Sequence, residues 1–306
     1  MATYSYAECL QNSYRVNWKI GDVVDGRRFD ASRPWLPARL SGAGTIASLS
    51  SQEKTKLTHV EMGAYAHLFG YVEEFIAPKM VALARDFEIV HREAFDALAN
   101  FAAEEVKHMT LFREIRGRVD EAVGFPLALL PGQQDVARAV LSKETGAVLL
   151  LTAAIEWFTQ LHYLSSFKDN EALDPFTRHI FKCHWLEESQ HARMDHLETL
   201  RAFAGITDED RQAAIEDLIG LVGAVDGLLQ QQAGFDVDNF ERYLDRSLSA
   251  PVRQEVYARV LDAKRYTFIE SGVTHPNFQE LFGAVTTPAQ QQQVQKALGG
   301  ILQPAA

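Results

Sequence analysis

The stretch His184-Trp185-Leu186-Glu187-Glu188-Ser189-Gln190-His191 decides how the rest of the chain is read. On an α-helix, residues three and four apart share a face, so His184, Glu188 and His191 fall within about 60° of one another. Three side chains able to ligate a metal on one face of one helix ask for partners elsewhere. The half-motif Glu-x-x-His occurs three times, as Glu88–His91, Glu105–His108 and Glu188–His191. With 23 Glu and 10 His in 306 residues, roughly 0.75 such pairs arise by chance, so context must separate them. Glu88 and His91 lie among Arg85, Asp86, Arg92 and Glu93, which reads as a solvated turn. Glu105/His108 and Glu188/His191 are flanked by apolar residues at helical spacing: Phe101 and Leu111, Ile180 and Met194.

A four-helix bundle holding two metals takes one Glu from each of its other two helices. Glu156 follows the apolar run Val148 to Ile155 and precedes Trp157-Phe158. An unpaired carboxylate there would cost several kcal/mol, which a metal would offset. The first long helix offers Glu73 and Glu74. Its apolar stripe (Tyr65, Leu68, Phe69, Val72, Ile76, Met80, Leu83) centres near Tyr65, which puts Glu73 about 80° from the stripe centre and Glu74 about 180° away. The expected ligand set is therefore Glu73, Glu105, His108, Glu156, His184, Glu188 and His191. Its oxygen and imidazole donors, without thiolate, suit iron or manganese better than structural zinc. Cys183 is turned about 100° from His184 and reads as a small buried residue.

The remaining sequence fits an all-α protein with a four-helix core. Residues 1–48 have scattered aromatics and loop signals and read as an arm on the body. Ser50 and Glu53 form a capping-box pattern that opens the first long helix, and Pro78 should kink it. Further helices are expected over 94–116, 135–167 and 175–204, with 117–133 as a crossover. Pro175 at the start and Gly205 just past the end bound the last of these. The metal-binding bundle spans 50–204 within a single domain. Shorter helices are expected over 207–232, 237–248 and 250–268, a loop over 272–277, and a tail from 286 to 306.

Composition narrows the partners. A net charge of −11, with no basic run, argues against nucleic acid and anionic membrane surfaces. Two cysteines and an N-terminus without an apolar signal core point to a reduced, cytoplasmic protein. The most apolar run, 147–155, is far short of the ~20 residues a membrane span needs and reads as a buried helix segment.

The order Glu, Glu-x-x-His, Glu, His-x-x-x-Glu-x-x-His resembles the diiron arylamine N-oxygenases, the p-aminobenzoate N-oxygenase family, over residues of about 10 to 280. The Asn17-Trp18 arm, the Val72-Glu73 step and the late Gly272-Val-Thr-His275-Pro276 segment add to the likeness. The resemblance implies a ferritin-like four-helix bundle fold, a homodimer and two Fe ions, with Mn the alternative that the donor set allows. It also implies O2, an external electron donor, and oxidation of a small-molecule amine through hydroxylamine towards nitroso or nitro products. Other readings of the same ligands are a ferroxidase and a diiron oxidase, hydroxylase or desaturase acting on a C–H bond. The resemblance places the helix carrying Arg265 near the metal pocket, so Arg265 is the expected carboxylate anchor, with Lys264 in solvent. Tyr65, two turns before Glu73, is expected to line the same cavity. Thr159 and His162, one and two turns after Glu156, stand where amide and aliphatic pocket residues are expected for an aminobenzoate.

Overall fold

The computed structural model describes residues 4–87 and 91–302, all helix and connecting turns, with no strand among them. The arm carries α1 (Tyr6–Val16), α2 (Ile20–Val24) and α3 (Ala38–Ser41). The body consists of α4 (Ser51–Arg85), α5 (Arg92–Val123), α6 (Gln133–Leu141), α7 (Thr145–His162) and α8 (Pro175–Phe203). Then come α9 (Asp208–Leu244), α10 (Ala250–Arg265), α11 (Ser271–Val273), α12 (Pro276–Val285) and α13 (Pro288–Ile301).

The core is a four-helix bundle: α4 packs along α5, α7 packs along α8, and α6 lies in the crossover joining the two pairs. The apolar periodicity fixes this arrangement, since Leu98, Phe101, Leu111 and Phe112 of α5 and Ile180 and Met194 of α8 are all buried. α9 covers α4 and α7, α10 lies on α9, and α1 bridges α5 and α8. The helix ends follow local chemistry. Ser50 and Glu53 cap α4 reciprocally. Asp174 accepts from the Thr177 amide at 2.9 Å to cap α8, with Pro175 in the first turn.

Several boundaries differ from the sequence expectation, each through a tertiary contact. The helix expected over 135–167 is broken into α6 and α7. Asp217 of α9 accepts from the Glu144 amide at 2.9 Å and from Lys143 Nζ at 2.8 Å, so a distant carboxylate caps the new helix start. The stretches 207–232 and 237–248 are one helix, α9, held continuous by the buried residues Ala233 and Val237 and by the Gln232–Asp236 hydrogen bond at 2.7 Å. The helix expected to end at 116 runs on to Val123, because Val119 and Val123 are both buried one turn apart, and Gly124 then ends it in the left-handed conformation at φ 90°. The arm is helical where no period was read, and the tail contains α13, which lies on α9.

Two π-helical turns interrupt the regular geometry, Tyr163–Phe167 after α7 and Tyr266–Glu270 after α10. Such insertions are rare and gather at functional sites. The segment after the second turn approaches α7 very closely. A Cβ on Gly272 would stand 2.4 Å from the Ala154 carbonyl oxygen, so only glycine fits there. The span Thr145–Phe167 is long and apolar enough to cross a membrane, yet 89% of its most apolar window is buried inside the protein, as for a core helix.

Candidate metal centre

Each of the four bundle helices points an acid into the bundle interior: Glu73 from α4, Glu105 from α5, Glu156 from α7 and Glu188 from α8, all buried. Glu74 is partly exposed, as the 100° step between adjacent helical residues requires. Glu188 sits at the middle. One of its oxygens lies 2.5 Å from His184 Nε2 and 3.1 Å from His108 Nδ1, and the other lies 2.7 Å from His191 Nδ1. Glu105 Oε1 is 2.7 Å from His191 Nδ1, and Glu73 Oε1 is 3.7 Å from His184 Nε2. Glu156 is the fourth buried acid, close enough for the Glu188 charge to act on it, but it belongs to neither of the tight donor groups. Two overlapping donor groups result: Glu73, His108, His184 and Glu188, and Glu105, His108, Glu188 and His191. Within each, the donor atoms lie within 4.8 Å of one another.

The satisfaction of these atoms tests whether a cation fits. Both oxygens of Glu73, both of Glu105 and Oε2 of Glu156 are buried without a hydrogen-bond partner. The short Glu105–His191 and His184–Glu188 approaches lack hydrogen-bond geometry, so these atoms converge on a common point rather than on each other. Buried polar atoms are otherwise almost always paired, and a set of orphaned carboxylate oxygens is what metal ions would satisfy. Three acids and three imidazoles, Glu73, Glu105, Glu188, His108, His184 and His191, would be able to hold two divalent ions, with Glu156 beside them.

The charges of the cluster act strongly on one another. Burial, and then the Glu105 charge, pushes the Glu73 carboxyl well above the usual range, and burial with the Glu188 charge does the same to Glu156. Burial would raise Glu188 too, but His184, His191 and His108 hold it well below. Glu188 is thus the acid of the cluster whose charge the three histidines favour.

A second layer was not read from the sequence. His108 Nε2 faces Glu187 Oε2 at 2.9 Å, and His191 Nε2 faces Glu104 Oε2 at 2.9 Å. The pairing is crossed: the acid preceding the α8 ligand holds the α5 histidine, and the acid preceding the α5 ligand holds the α8 histidine. Such carboxylate partners fix the tautomer and aim the other nitrogen at the metal. The signal was present in the doubled acids Glu104-Glu105-x-x-His108 and Glu187-Glu188-x-x-His191.

The arm braces this layer. Ser13 Oγ donates to Glu104 at 3.3 Å, and Lys107 Nζ reaches Glu187 at 2.5 Å while lying over the Trp18 ring. The Trp18 ring stacks on His108 at 5.7 Å, and its Nε1 donates to the Cys183 carbonyl at 2.8 Å. Asp195, one turn beyond His191, is a further buried acid without a hydrogen-bond partner.

The residues expected to meet substrate fall in two places. Tyr65 and His162 come together, with Tyr65 Oη 3.2 Å from His162 Nδ1 and His162 Nε2 2.9 Å from Ser271 Oγ. Ser271 donates onward to the Thr267 carbonyl at 3.0 Å, so the ring must donate from Nε2 and accept from Tyr65. Burial lowers His162 to about 3, so this chain is uncharged. Thr159 is buried and donates to the Ile155 carbonyl at 3.0 Å.

Arg265 does not reach the metal pocket. It forms a two-pronged ion pair with Asp226 at 2.7 and 3.0 Å and lines a separate surface hollow with Arg39 and Tyr266. Lys264, expected in solvent, is buried between Glu61 and Asp236, each at 2.7 Å. The 100° step that turns Arg265 outward is the step that turns Lys264 into the α4/α9 seam. Cys183 is half-buried rather than buried. His91 is exposed at the start of α5, and Glu88 lies outside the described residues.

Among solved structures, a mutant R2-like ligand-binding oxidase with an anaerobically reconstituted Mn/Fe cofactor matches at 13% identity and TM-score 0.47, covering 90% of this chain and 93% of that one. The same oxidase with an aerobically reconstituted Mn/Fe cofactor matches at 15% identity and TM-score 0.42, covering 86% and 92%. No curated protein matches. The family model described as P-aminobenzoate N-oxygenase AurF matches residues 10–242, which takes in most of the arm, all seven expected ligands and most of α9, and the chain belongs to that family.

Proposed function

We propose that this protein uses two metal ions, iron in the first instance, and O2 to oxidise the amino group of a small molecule through hydroxylamine towards nitroso or nitro products. The observation that carries the reading is the set of buried carboxylate oxygens without partners, centred on Glu188 and faced by three histidines, in a member of an N-oxygenase family. Glu73, Glu105, His108, Glu156, His184, Glu188 and His191 are the ligands in this reading. When bound, the metals supply the redox chemistry that O2 requires.

The chain's own residues supply the rest. Glu104 and Glu187 orient the two histidines. Phe69 and Phe112, whose rings lie 5.3 and 4.9 Å from that of His184, exclude water from one side of the centre. The first oxidation consumes the amine, O2, two electrons and two protons and yields hydroxylamine and water, so a separate reductant must serve as partner. Acting as a homodimer in the cytoplasm is part of the same reading.

The test supplies iron(II)-loaded protein with a reductant, labelled O2 and a panel of amines, and follows the label by mass spectrometry. Label on nitrogen is the expected outcome. Label on carbon alone would turn the reading to a C–H oxidase. Continued oxidation of many irons per chain without amine product would turn it to a ferroxidase.

A further inference from the structure

His108, one of the converging side chains, lies a single ring away from the surface. Trp18 is 7% exposed, and its ring lies nearly flat against that of His108, with 5.7 Å between centres and 16° between planes. A second link runs beside the first. Lys107 Nζ stands 4.2 Å from the Trp18 ring centre and 2.5 Å from Glu187 Oε1, and the other Glu187 oxygen faces His108 Nε2 at 2.9 Å. His108 and Glu188 are the two residues shared by both donor groups, so whatever arrives through His108 arrives at both metal positions.

The surface over these links is basic. Lys107 holds the Asn17 side chain at 3.3 Å and the Trp18 carbonyl at 3.2 Å, and the exposed Lys19 follows directly. On the α8 side Trp18 Nε1 meets the Cys183 carbonyl, with the exposed Lys182 next to it and Arg178 one turn earlier. Arg27 stands near enough for its charge to act on the Cys183 thiol, and its carbonyl accepts from Arg118 at 3.0 Å. Among the described residues, Lys19, Arg27, Arg178 and Lys182 have no carboxylate at ion-pair distance. The acids nearby answer only part of this charge. Glu187 is taken by Lys107 and Glu114 by Arg118, which leaves Asp22, whose carboxylate accepts from the Lys19 amide, and the exposed Asp25. On a chain with a net charge of −11, such a face attracts an acidic partner that the rest of the surface repels, and so orients it.

We propose that the face around Trp18, formed by the arm and α8, docks an acidic one-electron carrier of the iron–sulfur ferredoxin class, with the Trp18–His108 stack as the path of the electron. This rests on the amine-oxygenase reading above and names its reductant. In each encounter the reduced cluster of the carrier loses one electron and a ferric ion beside His108 gains it. No bond is made or broken at the interface, and two encounters supply the two electrons of one oxygenation.

The probe is a plant-type [2Fe–2S] ferredoxin, an acidic protein, mixed in its reduced state and without O2 with the oxidised iron-loaded protein. Loss of its reduced spectrum gives the rate of transfer, and calorimetry with oxidised ferredoxin gives the affinity. Lys19→Glu/Lys182→Glu should lower the second-order rate and the affinity by ~10-fold or more, whereas Arg85→Glu/Lys296→Glu, the same change of net charge on α4 and α13, should lower each by less than ~3-fold. Metal per chain should be the same in both variants. Binding to the wild type should weaken as ionic strength rises from about 0.01 M to about 1 M, which shortens the screening length from about 30 to about 3 Å. Trp18→Leu should slow transfer per loaded chain at saturating ferredoxin by ~10-fold, about 1.4 kcal/mol of barrier. An unchanged rate there removes Trp18 from the path. Equal effects of the two double variants overturn the docking face, as does binding that salt leaves untouched or a ferredoxin that neither binds nor reduces the wild type. If ferredoxin docks as expected but turnover leaves the amine nitrogen untouched, the N-oxygenase reading falls and the docking face stands.

Discussion

Two buried sets of ionisable groups use α4, and they meet the cost of burial in opposite ways. At the lower set, Lys264 lies between Glu61 and Asp236, and Gln232 donates to the remaining Asp236 oxygen at 2.7 Å. The cation is part of the chain, and Glu61 Oε1 is the one oxygen of that set without a hydrogen bond or an ion-pair partner. At the upper set, four acids face three imidazoles, and five carboxylate oxygens on Glu73, Glu105 and Glu156 have no hydrogen-bond partner. Among the described residues, the ion pairs of Glu73, Glu105 and Glu188 are with histidines alone. A buried acid cluster that carries its own cation is structural, and one that leaves its oxygens open is built for a cation from outside.

That contrast can be broken most sharply at Glu188. Glu188→Ala removes the one carboxylate that faces all three histidines and should abolish two-metal loading, read as metal per chain after dialysis. Full retention would show that the centre is organised elsewhere. At the other set, Lys264→Met should leave metal per folded chain unchanged while lowering stability to urea by about 3–5 kcal/mol, because Asp236 is stranded without its counter-charge and Glu61 without its hydrogen-bond partner. A loss of metal in this variant would mean that the two sets are not independent.

Smaller changes sharpen the comparison. Glu187→Gln keeps the shape but weakens the hold on His108, and metal affinity should fall by about 10 to 100-fold in competition with a chelator. No change would reduce Glu187 to an ion-pair partner of Lys107. The last test is one of pH. Burial, and then the Asp236 charge, raises Glu61 to about 8, so the folded protein holds a proton there that the unfolded chain releases near the ordinary glutamate value of 4.5. The stabilisation is complete below that value and is lost as pH rises through about 8. The folded state of metal-loaded protein should therefore weaken between pH 5 and 8 by up to about 1.4 kcal/mol per unit, and Glu61→Gln should flatten that slope.

The inward-facing acids and imidazoles were legible because they obey one rule, the helical angle, on long helices with strong apolar stripes. Glu73 was separated from Glu74 by that rule alone. What escaped depended on contacts that no local period carries. The break between α6 and α7 is made by Asp217, more than seventy residues downstream. Lys264 and Arg265 were assigned to opposite environments because α10 was placed by resemblance rather than by a stripe of its own. The crossed acids Glu104 and Glu187 were visible as a repeated doublet, but their role appears only when α5 and α8 lie side by side.

The arm that braces both crossed acids has a bearing on when the centre can be finished. Tyr6 pairs with Glu198, 192 residues further on, and Trp18 with the Cys183 carbonyl, 165 residues further on. Contacts of such separation close large loops and form late. During synthesis the arm is made before α5 and α8, yet it has nothing to dock on until α8 exists. Ser13 and Trp18 thus reach Glu104 and His108 only after both helices are in place. Chain order and assembly order run opposite ways, and the outer support of the histidines is the last part of the site to close.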